Sequence, residues 1–250
     1  MTSKSVKSEA KDSKTTPPTA DAVICLPTYN ERENLPSIIK EVLRTAPTID
    51  ILVIDDNSPD GTGAVADGIC AKEPRVHVLH RAGKEGLGKA YIAGFKWALE
   101  RSYRFIFEMD ADFSHQPRYI PQFLRAIEDY DLVLGSRYVE GGGTENWNAL
   151  RKLISKGGSL YARSILQVPF KDLTGGFKCF RREVLEAIDL DAIECTGYAF
   201  QIELTFRAHQ LGFRVKEIPI IFYERIAGHS KMGKNIVLEA VHKVWSIKFN

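Results

Sequence analysis

The chain predicts an α/β protein with a mainly parallel sheet flanked by helices. Two patterns carry this: short apolar runs of strand length alternate with segments of helical spacing, and the early runs stop abruptly at polar or acidic residues. A third observation is length, since 250 residues can bury a substantial core. Ligands of open α/β sheets lie beyond the carboxyl ends of the strands. The residues at which the apolar runs stop are therefore the ones to read for chemistry.

Residues 1–20 hold Lys, Ser, Thr and Pro with almost no large apolar side chain, and a disordered tail is expected there. One domain is expected over 21–235, followed by an amphipathic C-terminal helix over 236–250. The first strand is Ala22 to Leu26, closed by Pro27. A polar loop with Tyr29 and Glu31 then opens a helix whose apolar positions are Leu35, Ile38, Ile39, Val42 and Leu43. The second strand, Ile49 to Ile54, exits at Asp55 and Asp56 through a turn-rich stretch to Thr62, and a helix runs to about Ala71. Val76 to His80 is the third strand. A flexible loop, Gly83 to Lys89, precedes the helix Ala90 to Glu100. The fourth strand holds Phe105, Ile106, Phe107 and Met109 and stops at Asp110 and Asp112.

Beyond the acidic pair, Ile120 to Ile127 reads as a helix and Asp131 to Gly135 as a strand leading into Ser136, Arg137 and Tyr138. Gly141 to Thr144 is expected to break regular structure. Arg151 to Leu166 mixes basic residues with Leu, Ile and Tyr at helical spacing. That suits a surface helix resting on lipid headgroups, or a solvated helix packed on the domain. Asp172 to Phe180 reads as a loop and strand, and Arg182 to Ile188 as a helix. In the helix from Gly197 to Arg207, a buried Glu203 would be too costly to leave idle, so it either pairs with an arginine or faces the crevice. Val215 to Phe222 reads as one last strand. Arg225, Lys231 and Lys234 then sit among small residues, as a diphosphate clamp or a charged surface loop. The terminal helix carries Trp245. Core packing is its default role, with interfacial docking or a small membrane partner as the alternative.

Composition narrows the function classes. At 44% hydrophobic and 26% charged with a formal net charge of +2, bulk charge points to no partner, and nucleic acid is not expected. The four scattered cysteines show no zinc spacing and read as buried free thiols of a reducing compartment. No segment reaches the roughly 18 consecutive apolar residues of a membrane span, and the N-terminus lacks a signal-peptide core.

Two carboxylates as close as Asp110 and Asp112 repel each other and need a cation. Mg²⁺ or Mn²⁺, hard ions that bridge carboxylates to substrate phosphates, suits them; an acidic turn is the alternative. Glu31, Asp56 and the Asp110/Asp112 pair at strand ends, with Arg137, Arg225 and Lys231 downstream, fit a nucleotide diphosphate held by a metal. There is no Walker A loop, and Gly86-Leu-Gly88 is too short and misplaced for a dinucleotide fingerprint. Transfer of the group carried by the diphosphate is the simplest reaction.

The runs Leu26 to Pro36, Ile54 to Thr62, Gly86 to Tyr91, Met109 to His115, Gly135 to Tyr138 and Asp172 to Phe177, in order, resemble the dolichol-phosphate mannose synthases, which are inverting family-2 glycosyltransferases. The resemblance covers roughly residues 22 to 235 and implies a GT-A fold with a Rossmann-like sheet. It implies transfer of mannose from GDP-mannose to dolichyl phosphate, for protein glycosylation and glycolipid anchors. Pro27, Tyr29, Glu31, Ile54 and Asp56 would surround the guanosine, and Asp110, Ala111 and Asp112 the metal and diphosphate. Arg137, Arg225 and Lys231 would hold phosphates, with Asp112 and Arg137 the catalytic pair. By the same resemblance Ser114 would stand with Asp110 and Asp112 at the metal, but this chain departs from the relatives that have Gln at that position, and water could take the place of Ser114. A chain of this short type would sit on the cytosolic face of the endoplasmic reticulum, held by small membrane-spanning subunits. A dolichyl-phosphate glucosyltransferase using UDP-glucose and a non-catalytic nucleotide-sugar-binding module are the alternatives.

Overall fold

The structure is a computed structural model that describes residues 20–193, 195, 197–224 and 243–249. The expected tail, Arg225, Lys231 and most of the expected terminal helix lie outside the described residues.

Four parallel strands build the first half: β1 (Ala22–Thr28), β2 (Ile49–Asp55), β3 (Val76–His80) and β4 (Phe105–Glu108). The helices between them are α1 (Leu35–Thr45), α2 (Thr62–Cys70) and α3 (Leu87–Leu99). The second half contains α4 (Ile120–Ala126), β5 (Leu132–Ser136), β6 (Gly143–Glu145), α5 (Ala149–Leu166), β7 (Lys178–Arg181), α6 (Arg182–Ala187), α7 (Gly197–Gln210), β8 (Val215–Pro219) and β9 (Ile221–Tyr223). The main sheet runs β3-β2-β1-β4-β7-β5-β8, and β6 pairs with β9 beside it.

The central strands are continuous apolar runs because helices cover both faces. Tyr91 and Phe95 of α3, Ala162 of α5, Val184 of α6 and Leu204 of α7 line the core on one face. Ile38 and Val42 of α1, Ala66 of α2 and Phe123 of α4 line it on the other. Helix α3 crosses so close that a Cβ on Gly94 would lie 2.5 Å from Ile54 Cδ1 and 2.9 Å from Cys25 Sγ. Any side chain there would have to push both aside, and glycine lets the helix pack this closely.

The second half departs from expectation in three places. Strand β7 is antiparallel to both its neighbours, β4 and β5. The single strand expected over Val215 to Phe222 is two: β8 ends at Pro219, Ile220 donates to Ser136 O at 3.0 Å, and β9 turns away to β6. The expected break at Gly141 to Thr144 is a correction of the same kind. Gly143–Glu145 is a strand because β9 supplies a partner that the local glycines do not announce.

Glu203 takes the structural option, accepting from Arg207 one turn on at 2.7 Å. All four cysteines are free thiols, with Cys70 half-buried and the other three buried. No helix among the described residues is long and apolar enough to cross a membrane. Helix α5 nevertheless presents Leu150, Leu153 and Leu160 to solvent at 66%, 71% and 61% exposure, among Arg151, Lys152, Lys156 and Arg163. Residues 243–249 are helical; Val244 and Ile247 join the core, while Trp245 and Phe249 are exposed and stack on each other.

Candidate active site

Strands β1, β2 and β4 end at one edge of the sheet, and the acids stand at their exits. After β4 the chain turns sharply: Phe113 has φ 62°, a left-handed conformation that bulky residues seldom adopt, and this aims the Ser114 N–H at Asp112 Oδ1, 3.0 Å away. Asp112 is thereby anchored and only 2% exposed, whereas the Asp110 side chain is 27% exposed. Tyr91 donates to Asp110 Oδ1 at 3.2 Å, and Ala111 is buried between the two acids. The Asp110 N–H donates to His115 Nδ1 at 3.1 Å. His115 is packed between Phe177 and Phe222, and burial lowers its pKa, so the ring is neutral with its proton on Nε2. Ser114 Oγ is buried without a hydrogen-bond partner among the described residues.

On the far side of β1, Pro27 and Ile54 lie opposite each other in the β1–β2 register. Thr28 Oγ1 donates to Ile54 O at 3.2 Å, and the Asp56 N–H donates to Thr28 O at 3.1 Å. Asp55 is held by Ser58, whose hydroxyl donates to it at 2.6 Å. Glu31 accepts from Asn34 Nδ2 at 2.8 Å. The Asp56 carboxylate, raised in pKa by burial against the opposing pull of Arg81, accepts from that guanidinium. Lys84 Nζ sits 3.8 Å above the Tyr29 ring.

The third group of residues comes from the second half. Arg137 grips Asp172 through Nε and Nη2 at 2.7 and 2.6 Å, and Nη2 also reaches Thr174 Oγ1 at 2.8 Å. Its side chain is 4% exposed, so the expected phosphate clamp has an internal ion pair as its first engagement. Burial alone would raise the Asp172 pKa; Arg137 more than offsets this and holds it below the usual carboxylate range. Beside it, Arg151 donates to Glu224 at 2.7 Å and stacks 4.2 Å above Trp147. Trp147 Nε1 and Arg151 Nε are buried donors without an acceptor among the described residues. Phe222 joins the halves: its ring is 5.3 Å from His115, 5.3 Å from Trp147 and 5.5 Å from the Arg137 guanidinium.

Beneath Asp110, Glu108 and Lys178 are opposite residues of β4 and β7, with Nζ 3.9 Å from Glu108 Oε2 and 2.8 Å from Gln201 O. Burial pushes Glu108 up to about 7 and Lys178 down to about 8.

No group of three His, Cys, Asp or Glu forms a ready metal centre among the described residues. The donor set still fits a hard divalent cation: one anchored carboxylate, one more open, and the buried Ser114 hydroxyl, which has no hydrogen-bond partner among the described residues, with other positions left to substrate oxygens. Sequence reading missed Arg81, Lys84, Tyr91, Trp147 and the Arg137–Asp172 and Glu108–Lys178 pairs. Arg81 and Lys84 follow the end of β3, so the strand-end rule extended to the third strand finds them; nothing local signals Trp147.

Residues 23–189 match the family model described as glycosyl transferase family 2. The chain belongs to that family. This glycosyl transferase is 53% identical to an undecaprenyl-phosphate mannosyltransferase of Micrococcus luteus over 219 residues, 88% of this chain and 90% of the relative. It is 50% identical to a polyprenol monophosphomannose synthase of Mycolicibacterium smegmatis over 242 residues, 95% and 91% of the two chains. Among solved structures it is similar to glucosyl-3-phosphoglycerate synthase of Mycobacterium tuberculosis in complex with Mn²⁺, UDP and phosphoglyceric acid. That match has a TM-score of 0.65 and 17% identity over 91% of this chain and 78% of that one. It is also similar to a mannosyltransferase of Pyrobaculum calidifontis in complex with GDP-Man and Mn²⁺, with a TM-score of 0.57 and 14% identity over 93% and 74% of the chains. At those identities the likeness is one of fold, and the glycosyl transferase has the GT-A fold.

Proposed function

We propose that this glycosyl transferase moves mannose from GDP-mannose to the phosphate of a polyprenol such as dolichol, with inversion at the anomeric carbon. The observation that carries the reading is the meeting, around Phe222, of the Asp110–Asp112 turn with two buried donors that have no acceptor among the described residues, Trp147 Nε1 and Arg151 Nε. One group suits a cation-bound diphosphate and the other an incoming anion. About half of all aligned residues are shared with two relatives named for mannose transfer to polyprenyl phosphates, which supports this choice of sugar and acceptor.

In this scheme Pro27, Tyr29, Glu31, Ile54 and Asp56 surround the guanosine. Asp110, Asp112 and Ser114 hold Mg²⁺ or Mn²⁺, with Ala111 against the diphosphate. The bound cation supplies Lewis-acid neutralisation of the leaving diphosphate. Asp112, already oriented by Ser114, needs little reorganisation to serve. Arg137, Arg225 and Lys231 hold donor or acceptor phosphates, the last two from outside the described residues. A phosphate monoester has a second pKa of about 6 and is mostly dianionic at neutral pH, so no general base is assigned. Asp172 and Glu203 are committed to Arg137 and Arg207, which agrees with that omission. The exposed leucines and cations of α5 rest on the lipid surface that holds the prenyl chain. In a eukaryotic cell that surface is the cytosolic face of the endoplasmic reticulum, and the terminal helix after the catalytic domain of 21–235 contacts small membrane-spanning subunits.

The test incubates the protein with vesicles containing polyprenyl phosphate and either GDP-mannose or UDP-glucose, with and without a chelator. Mannosyl transfer that stops on chelation is expected. Turnover with UDP-glucose alone overturns the sugar, and chelator-resistant turnover overturns the cation.

A further inference from the structure

Arg81 has no part in the donor site as assigned above, yet it is the group that the buried Asp56 meets. Its Nη1 donates to Asp56 Oδ1 and its Nη2 to Glu85 Oε2 at 2.7 Å, and the Arg81 and Asp56 side chains are only 11% and 8% exposed. The backbone holds this arrangement at the sheet edge. The Arg81 N–H donates to Asp55 O at 2.9 Å, and Asn57 Nδ2 donates to Ala82 O at 3.2 Å. Lys84, three residues on, lies against the Tyr29 ring. A fixed donor and a fixed acceptor thus stand side by side where the strand ends meet.

The hydrogen-bonding edges of the bases respond differently to such a pair. Guanine presents the acceptor O6 next to two donors, N1–H and N2–H. Uracil presents acceptor, donor, acceptor, and its second acceptor would face the carboxylate. An ionised carboxylate only accepts, and a guanidinium only donates, with five N–H groups of which the two carboxylates here use two. We propose that Arg81 is a specificity-determining residue that donates to guanine O6 while Asp56 accepts from N1–H and N2–H, so that the ion pair reads the base as one composite edge. The inference rests on the guanosine reading of this end of the crevice. The alternative is that Arg81 only neutralises Asp56.

Calorimetric titration with GDP, IDP, UDP and 6-thio-GDP separates these. The thio analogue keeps both guanine donors but replaces O6 with sulfur, a weak acceptor; IDP lacks the N2 donor. The wild-type protein should bind GDP about tenfold more tightly than 6-thio-GDP, the size of one hydrogen bond to a charged donor. Arg81→Met should bring that ratio close to one, with Arg81→Lys between. Asp56→Asn should instead remove the preference for GDP over IDP. If Arg81→Met weakens GDP and 6-thio-GDP equally, or wild type does not distinguish them, the proposal is overturned. The wild-type comparison needs no variant, so it decides even if Arg81→Met fails to fold. Preference for UDP over GDP would overturn the donor reading itself.

Discussion

The two halves of the crevice are held in different ways. On the side of the Asp110–Asp112 turn, acids are fixed by loops that close on themselves: Ser58 holds Asp55, Thr62 holds Asp60 and the Ser114 N–H holds Asp112, each within three residues in sequence. Asp56, tied to Arg81, and Asp110, which accepts from Tyr91, have partners farther along the chain. On the side of Trp147 and Phe222, cations are fixed by distant partners: Arg137 by Asp172, 35 residues on, and Arg151 by Glu224, 73 residues on. The difference teaches that the geometry of the acidic side follows largely from local turns, whereas the cationic side needs strands from distant parts of the chain to be in place. Damage to the first should remove activity and spare the fold. Damage to the second should cost both.

The largest expected effect is therefore on stability, from the second half. Asp172→Ala leaves Arg137 buried without its counter-ion and should cost about 3–5 kcal/mol in urea unfolding, while Arg137→Met/Asp172→Leu should recover most of that stability without recovering transfer. The same pair has a pH signature. Because the folded protein holds Asp172 below its ordinary 3.8, the folded state binds fewer protons there than the unfolded one. The stability it supplies is complete above that value and is lost as pH falls through the depressed one. Unfolding free energies followed from neutral pH into this acid range should show a loss that Asp172→Asn lacks.

Asp112→Ala tests the other half. Transfer should fall by about a hundredfold to a thousandfold, the scale of losing one preorganised charge-stabilising group, with thermal midpoint little changed. Next in size, Leu153→Asp on the exposed face of α5 should weaken binding to anionic vesicles by about tenfold or more, since one leucine buried in lipid is worth about 1.5–3 kcal/mol. Stability should stay within about 0.5 kcal/mol of wild type. The smallest effect belongs to Asn148→Ala, which deletes the cap accepting from the Arg151 N–H at 2.8 Å and should cost about 1 kcal/mol, read from thermal unfolding.

Legibility followed the same division. Glu31, Asp56, Asp110 and Asp112 were readable because apolar runs that stop at acids mark strand exits, a signal contained within a few residues. The direction of β7 was not, because Lys-Cys-Phe-Arg carries no mark of which way it runs. Glu108 hid inside an apolar run, and its partner Lys178 becomes its neighbour only through the β4–β7 register. The glycines at 141–143 suggested a break in regular structure, and that expectation failed at Gly143–Glu145 because β9, far along the chain, supplied the strand partner. Arg225 and Lys231 lie outside the described residues, so their part in the clamp remains a proposal.

The reversal of β7 has a consequence for how many loops can serve the chemistry. A strand running with its neighbours delivers only its departing loop to the crevice; one running against them delivers its arriving loop instead. Because β7 is four residues long, the opposite orientation would have moved the start of the strand to the other rim, about 13 Å away at ~3.3 Å per residue, and the loop that carries Asp172 with it. One inverted segment thus lets a bend of the chain that would otherwise face the base of the molecule supply the counter-charge to Arg137.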